Sequence, residues 1–279
     1  MNVQQQPERA GRANKQALLA AILLIVLLFV ALYTCRRLRG QQAGPPAGSR
    51  LEIPFVRPGD EIIQHTAYTL CYSEGNEQAA WVAYVSTAAK TMGPHVARTN
   101  PFMEDPFVVT GSASHMDYEG SGYDRGHLAP AEDMSWSETS MAESFYYSNM
   151  SPQLPAFNRG VWKRLEALVR YWSVAYDSIY IVTGPVLTSG LPAIGPDHVS
   201  VPEYFYKVVL RYNGQGANAI GFILPNRASA ATLKSFAVPV DSVEKRTGID
   251  FFPALPDDIE ASVESKADLE AWLWTRRKE

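Results

Sequence analysis

A histidine with charged neighbours lies in the stretch YDRGHLAPAEDM, residues 123–134. A neutral imidazole at His127 could take a proton from water near pH 7, because its unperturbed pKa is about 6.5. Arg125, two residues earlier, is suited to a bidentate contact with a phosphate group. An isolated histidine is more often structural than catalytic. The interpretation of this stretch therefore depends on the residues that accompany it.

The next polar stretch, SNMSPQLPAFNRGVWKRLE at residues 148–166, supplies amide and carboxylate oxygens. Asn149 lies 22 residues after His127, and Asn158 stands where a helical pattern begins. A spacing of four residues along a helix would place Asn158, Trp162 and Glu166 on one face. An asparagine at a helix start is usually an N-cap. An amide and a carboxylate beside a reactive histidine would instead form a site for a hard cation such as Mg²⁺.

The elements that must position these residues mix strands with helices. Stretches rich in β-branched and aromatic residues predict strands at 79–87, 178–187, 203–212 and 218–226. The clearest helix begins near Asn158, and its predicted buried stripe is Val161, Trp162, Leu165, Leu168, Val169 and Trp172. A second helix is predicted at 265–277, and the acidic stretch 256–265 is interpreted as a solvated surface. Strands and helices that mix without regular alternation indicate an α+β domain with a substantial sheet.

An apolar run precedes this domain. Residues 16–35 carry no charge, and about 20 apolar residues span a bilayer core as a helix. No cleavage site of a signal peptide follows the run, so a membrane anchor is predicted. The chain then divides into a short tail (1–15), a transmembrane anchor (16–35), a flexible linker (36–50) and a folded domain (51–279). Basic residues flank the anchor almost equally, so charge does not decide its orientation.

Charge and cysteine content limit the functions open to the domain. Beyond residue 50 the chain has 18 basic and 28 acidic residues, a net charge of −10, against −4 for the whole chain. Such a domain does not attract nucleic acid at long range, so a local basic cleft or a metal must hold any polyanion. Cys71 is the domain's only cysteine in the sequence, which excludes a disulfide within it and favours a packed side chain.

Together, the two polar stretches resemble the DNA/RNA non-specific endonuclease family, the endonuclease G-like nucleases with a ββα-metal motif. Blocks of the same family occur in family order over roughly residues 51–255, among them RTNPFMEDP, YIVTGPVL and HVSVPEYFYKVVL. The resemblance implies an α+β fold of the ββα-metal (His-Me finger) type, with a central antiparallel sheet flanked by helices. Here one N-terminal transmembrane helix would precede that fold.

The resemblance also implies roles for the candidate residues at the reacting phosphate. His127 corresponds to the general base that takes a proton from the attacking water. Asn158 corresponds to the ligand of the catalytic cation, Mg²⁺ or Mn²⁺. Arg125 and the upstream Arg98 correspond to arginines that contact the phosphate. One neutral amide is a sufficient protein ligand, because Mg²⁺ often keeps several waters.

Three further residues complete the expected site. Asn149 corresponds to the asparagine that helps to order the active site, and Glu166 to the acidic residue that holds a water of the metal. Asp124 belongs to the motif, and we expect a structural role for it. The remaining histidines (His65, His95, His115 and His198) lack partners at zinc spacing, which disfavours a zinc site.

The expected protein is a membrane-anchored, Mg²⁺-dependent endonuclease that cleaves DNA and RNA without sequence preference and leaves 5′-phosphate ends. Its expected partners are nucleic acids and, through the anchor, a membrane; whether it forms a homodimer stays open. Family members act outside the cytoplasm or in an organelle, so the domain is expected on the periplasmic or extracellular side of a single-pass anchor. The alternatives are a catalytically silent nucleic-acid-binding or uptake module, and a phosphodiesterase for another nucleotide substrate.

Overall fold

A computed structural model describes Leu27 and residues 48–99, 101–214 and 216–275. The chain divides into two units, Met1–Gly44 and Pro45–Glu279. The predicted anchor, apart from Leu27, and most of the predicted linker lie outside the described residues. Within the described part of the chain, no helix has both the length and the apolar character needed to cross a membrane.

The strands of the second unit build one large sheet and two small ones. In chain order they are β1 (Glu61–Gln64), β2 (Thr69–Ser73), β3 (Gln78–Thr87), β4 (Asp124–His127), β5 (Met150–Gln153), β6 (Ser178–Pro185), β7 (Ala193–Ile194), β8 (Val199–Ser200), β9 (Tyr204–Tyr212), β10 (Ala217–Pro225) and β11 (Ala237–Val238). The large sheet has the order β1-β2-β3-β6-β9-β10-β11, and all its neighbours are antiparallel. The four predicted strands are confirmed as β3, β6, β9 and β10, with ends shifted by two residues at most.

The helices are short except for one. They are α1 (Ala88–Met92), α2 (His115–Tyr118), α3 (Glu138–Glu143), α4 (Lys163–Ala175), α5 (Val240–Thr247) and α6 (Asp257–Glu264). The predicted long helix was expected from Asn158, whereas regular α-helix begins at Lys163. A π-helical stretch, Phe157–Trp162, precedes it and is broken at Gly160, whose φ of −107° and ψ of −108° are not helical. Glycine accepts this conformation because it has no Cβ.

Two apolar cores lie on opposite faces of the sheet, and the alternation along β9 separates them. Phe205 and Val209 pack in the core that also contains the α4 stripe. Tyr206, Val208 and Leu210 pack in the core under α5 and α6. The predicted stripe is confirmed, since all six of its members are buried. The burial of that stripe fixes α4 against one face of the sheet.

Two predictions near the C-terminus are corrected. The stretch 265–277 contains a single 3₁₀ turn, Leu269–Ala271, rather than the predicted helix, and residues 276 and 277 lie outside the described range. The reason is tertiary packing, because Trp272 stacks 4.4 Å from Trp172 on α4 and holds the segment in an extended path. The acidic stretch 256–265 is not wholly solvated, since it forms α6 and buries Val263 and Glu264.

Candidate active site

A two-stranded hairpin followed by a helix positions the candidate catalytic histidine. β4 pairs with β5 in antiparallel register, which sets His127 opposite Met150. The π-helical stretch and α4 follow β5 directly, so the order is strand, strand, helix. Gly126 is required for this pairing, because a Cβ on it would lie 2.2 Å from Cδ of the buried Gln153. The backbone on the N-terminal side of His127 is therefore held close to β5.

His127 lies against two aromatic rings. Its imidazole meets Phe145 edge-on at a centroid distance of 4.9 Å and lies 5.9 Å from Phe102. Its Nε2 is buried without a hydrogen-bond partner among the described residues. Burial, together with the positive charges of Arg98 and Arg125, lowers the pKa of His127 to about 3. The ring is therefore neutral at physiological pH and able to accept a proton.

The same two phenylalanines support the two predicted phosphate-binding arginines. Phe102 and Phe145 form a perpendicular pair with centroids 5.0 Å apart, here called the aromatic pair. The guanidinium of Arg125 lies 4.1 Å from the Phe102 ring, and that of Arg98 lies 5.3 Å from the Phe145 ring. Cation–π contacts of this kind favour a fixed guanidinium orientation. The aromatic pair brings both arginines close to His127. The sequence analysis did not predict this role for the two phenylalanines.

Asn158 is oriented by the motif aspartate. Its Nδ2 donates to Asp124 Oδ2 at 2.9 Å. Arg159 donates to both oxygens of Asp124, at 2.9 and 2.6 Å, which fixes the carboxylate. No donor among the described residues reaches Asn158 Oδ1. Asn158 thus points its amide nitrogen at Asp124 and leaves its oxygen available, a donor type that suits a hard cation. It lies inside the π-helical stretch and does not act as an N-cap.

Asn149 is a buried residue whose hydrogen bonds connect separate segments of the fold. It is fully buried. Its Nδ2 donates to the carbonyls of Ala129 and Ser144 at 2.9 and 2.8 Å, and its Oδ1 accepts from Ala129 N at 2.9 Å. Its own carbonyl accepts from Leu128 N at 3.0 Å. These bonds fix the residues that follow His127.

Glu166 lies on α4 in a separate charged group. Burial raises its pKa, and the charges of Lys207 and Arg170 oppose this rise. Glu166 forms no ion pair within 4.0 Å with another residue that the structure describes.

A salt bridge connects α4 with the loop that follows the histidine. Arg170 binds Asp133 and Glu132, each at 2.8 Å. Tyr84 on β3 donates its hydroxyl to Asp133 at 2.9 Å. The loop after His127 is thus fixed both to α4 and to the central sheet. Sequence reasoning missed Arg170, although it lies four residues after Glu166 and shares its helix face.

Lys207 is the second residue that the sequence analysis missed. It is fully buried on β9, and its Nζ has no hydrogen-bond partner in the described part of the chain. The ammonium lies 4.9 Å from the ring of Trp162. Burial lowers its pKa, and the negative charge of Glu166 opposes this effect. Side chains alternate between the two faces of a strand, so Lys207 lies on the same face as the buried Phe205 and Val209. This alternation could have predicted an inward-facing lysine from the sequence.

Two surface cavities lie beside the two arginines. One cavity, of about 150 Å³, is lined by Tyr123, Asp124 and Arg125. Another, of about 330 Å³, is lined by residues that include Arg98 and Glu132. Both therefore contain an arginine that the sequence assigned to phosphate binding.

The fold thus places the histidine on a two-stranded hairpin, the asparagine in the π-helical stretch that follows, and two arginines close enough for their charges to act on the histidine. The DNA/RNA non-specific endonuclease family model matches residues 48–258, and the chain belongs to that family. It is a hydrolase that acts as an endonuclease on DNA and RNA.

Relatives and a solved structure agree with this assignment. Human mitochondrial endonuclease G is 34% identical over 207 residues, which cover 69% of this chain and 70% of that protein. Nuclease C1 of Cunninghamella echinulata var. echinulata is 37% identical over 224 residues, covering 73% of this chain and 88% of that protein. A crystal structure of an EndoG/EndoGI complex, concerned with EndoG inhibition, matches with a TM-score of 0.69 and 31% identity, covering 74% of this chain and 90% of that one.

Proposed function

We propose that the nuclease is Mg²⁺-dependent, that Asn158 binds the cation through Oδ1, and that His127 is the general base. A bound cation would offset the negative charge that develops on the phosphate and on the leaving oxygen. His127 takes the proton of the attacking water, and Arg98 and Arg125 hold the phosphate. The strand is cut so that the phosphate stays on the 5′ end and the hydroxyl on the 3′ end.

The observation that carries this proposal is the electrostatic surrounding of His127. Two arginines and burial keep the imidazole neutral, with a pKa of about 3. A base with so low a pKa is weak while the site is empty of substrate. A phosphate between the arginines would offset their charges and raise the pKa of His127 by the part of the shift that they cause, whereas the larger part, which burial causes, would remain. The substrate would thereby strengthen the base that attacks it.

A plasmid-nicking assay with Mg²⁺ and with EDTA tests this function. We expect nicking with Mg²⁺, none with EDTA, and products that a ligase reseals without prior phosphorylation. His127→Ala should lower turnover by on the order of 10²–10⁴-fold, the usual worth of general base catalysis. A wild-type protein that binds plasmid without cutting it would favour the silent binding module. Faster cleavage of a cyclic dinucleotide than of DNA or RNA would favour the other phosphodiesterase.

We also propose a single-pass anchor at residues 16–35 with the nuclease domain on the extracytoplasmic side. The support is the length of the uncharged run and the risk that an unspecific nuclease poses to the cell's own genome. Protease added to intact cells or spheroplasts should remove the domain. Complete protection, with digestion only after lysis, would refute this orientation.

A further inference from the structure

A second group of carboxylates lies beside the core under α5 and α6, on the face of the sheet opposite to α4. Asp241 and Glu244 belong to α5, and Glu264 is the last residue of α6. One carboxylate oxygen of each residue lies within 4.8 Å of the other two. We call these three residues the acidic triad.

Glu264 is a buried member of the triad, and its carboxyl group has no hydrogen-bond or ion-pair partner among the described residues. Burial and the neighbouring acids raise its pKa to about 9, so the group ionises at neutral pH only if a cation compensates it. Glu264 is only 5% exposed, and its Oε1 is buried without a hydrogen bond among the described residues. No described lysine or arginine forms an ion pair with the triad. Arg246, which is close in sequence, stacks 3.9 Å from the Tyr204 ring instead. A buried carboxylate without a donor is strongly unfavourable, so a proton or a cation must compensate it.

The surroundings of Glu264 are negative and favour a compensating positive charge. Glu264 stands at the C-terminus of α6, where the helix dipole is negative, and the last turn of α6 has no basic residue. Glu244 directs Oε1 to the backbone N–H of Phe251 at 2.9 Å, which holds its carboxylate in place. Asp250 and Glu260 add further negative charge near Glu264.

We propose that the acidic triad binds a calcium ion. Ca²⁺ lies about 2.3–2.6 Å from carboxylate oxygens, so two oxygens on opposite sides of one ion are roughly 4.6–5.2 Å apart. The three carboxylate oxygens all lie within 4.8 Å of one another, which is close enough for all of them to contact one ion. Mg²⁺ binds at about 2.0–2.1 Å in strict octahedral geometry, which makes it the poorer fit. The ion joins α5 to the end of α6 and supplies the positive charge that the buried Glu264 lacks.

Calcium-dependent stability of the full chain, without nucleic acid, tests the proposal. The midpoint of thermal unfolding should rise by about 5–10 °C at a calcium concentration about 100-fold above the dissociation constant. Asn158→Ala should keep this rise, because it removes only the expected ligand of the catalytic site. Glu264→Gln should abolish it, whereas Glu270→Gln, an exposed acid on the Leu269–Ala271 turn, should not. Calorimetric titration of Asn158→Ala with Ca²⁺ should give one site per chain.

Each other outcome overturns the proposal. A rise that disappears in Asn158→Ala would assign calcium binding to the catalytic site. The absence of any rise in wild type, with a Glu264→Gln variant as stable as wild type, would show that a proton neutralises Glu264. Should Glu264→Gln fail to fold, the exposed Asp241→Asn serves instead; unchanged calcium affinity in that variant would refute the triad. Nicking activity with Mg²⁺ is a separate readout, so failure here leaves the proposed reaction untouched.

Discussion

The depressed pKa of His127 makes a prediction about stability that is independent of catalysis. The imidazole is neutral in the folded protein down to a pKa of about 3, whereas its unfolded value is about 6.5. Between these two values the unfolded chain binds more protons, so the free energy of unfolding falls as the pH falls. Above pH 6.5 both states are neutral at this position, and His127 contributes no pH dependence.

The magnitude follows from the interval between the two pKa values. One pKa unit is about 1.36 kcal/mol, so at pH 5 the cost of keeping His127 neutral is about 2 kcal/mol. His127→Ala removes this cost and adds a constant penalty for the lost packing. The difference in unfolding free energy between wild type and His127→Ala should therefore shrink by about 2 kcal/mol from pH 8 to pH 5.

Urea denaturation across this pH range, in EDTA and without nucleic acid, measures the difference. His115→Ala is the matched control, because the side chain of His115 is 63% exposed. A difference between wild type and His127→Ala that stays constant from pH 8 to pH 5 would refute the reasoning. It would mean that His127 becomes protonated in the folded state and that burial and the two arginines do not hold it neutral.

Three further substitutions test the other parts of the site. Asn158→Ala should raise the Mg²⁺ concentration needed for half-maximal nicking. Asn158→Asp should bring that concentration part of the way back, because a carboxylate binds a hard cation better than an alanine does. Asn76→Ala, which lies outside the site, should leave the concentration unchanged. Gly126→Ala should lower the unfolding free energy by about 1–3 kcal/mol and impair nicking, because the added Cβ would overlap Gln153. Gly75→Ala is the control, since a Cβ at that position meets open space. Equal melting curves for Gly126→Ala and wild type would contradict this prediction. Lys207→Met should raise the pKa of Glu166, because the lysine charge that opposes the rise is lost. With Glu166 in its expected role of holding a water of the metal, the acidic limb of the rate profile should then move up by about 1 pH unit or more. Lys90→Met should leave the limb in place, and an unmoved limb in Lys207→Met would refute this role of the Lys207–Glu166 pair.

Local pattern accounts for the parts of the fold that were predicted. β3, β6, β9 and β10 follow from runs of β-branched and aromatic residues, and the α4 stripe follows from helical spacing. Local pattern failed where distant packing decides. The contact between Trp272 and Trp172 holds the C-terminal segment in an extended path where a helix was predicted. The backbone break at Gly160 moves the start of the regular helix α4 to a later residue than predicted.

The candidate site divides in the same way. His127, Arg125 and Asn158 could be proposed as candidates from the sequence, because residue type and family spacing point to them. The aromatic pair and Lys207 could not, since their roles depend on contacts across the fold. Asp124 was expected to be structural, but only the structure gives the reason, which is its bond to Asn158 and its double bond to Arg159.

The distribution of charge explains how a domain with a net charge of −10 can bind a polyanion. Two acids that lie close to His127 in the sequence are already paired, Asp124 with Arg159 and Asp133 with Arg170. Arg98 and Arg125, held on the aromatic pair, are therefore the cations whose field acts on His127. The uncompensated acids of the triad lie beyond the central sheet. Because screening weakens surface charges over about 10 Å at 0.1 M salt, a phosphate in the cleft experiences the arginines far more strongly than the remote carboxylates. Local pairing, rather than net charge, thus decides which side of this domain can hold a nucleic acid.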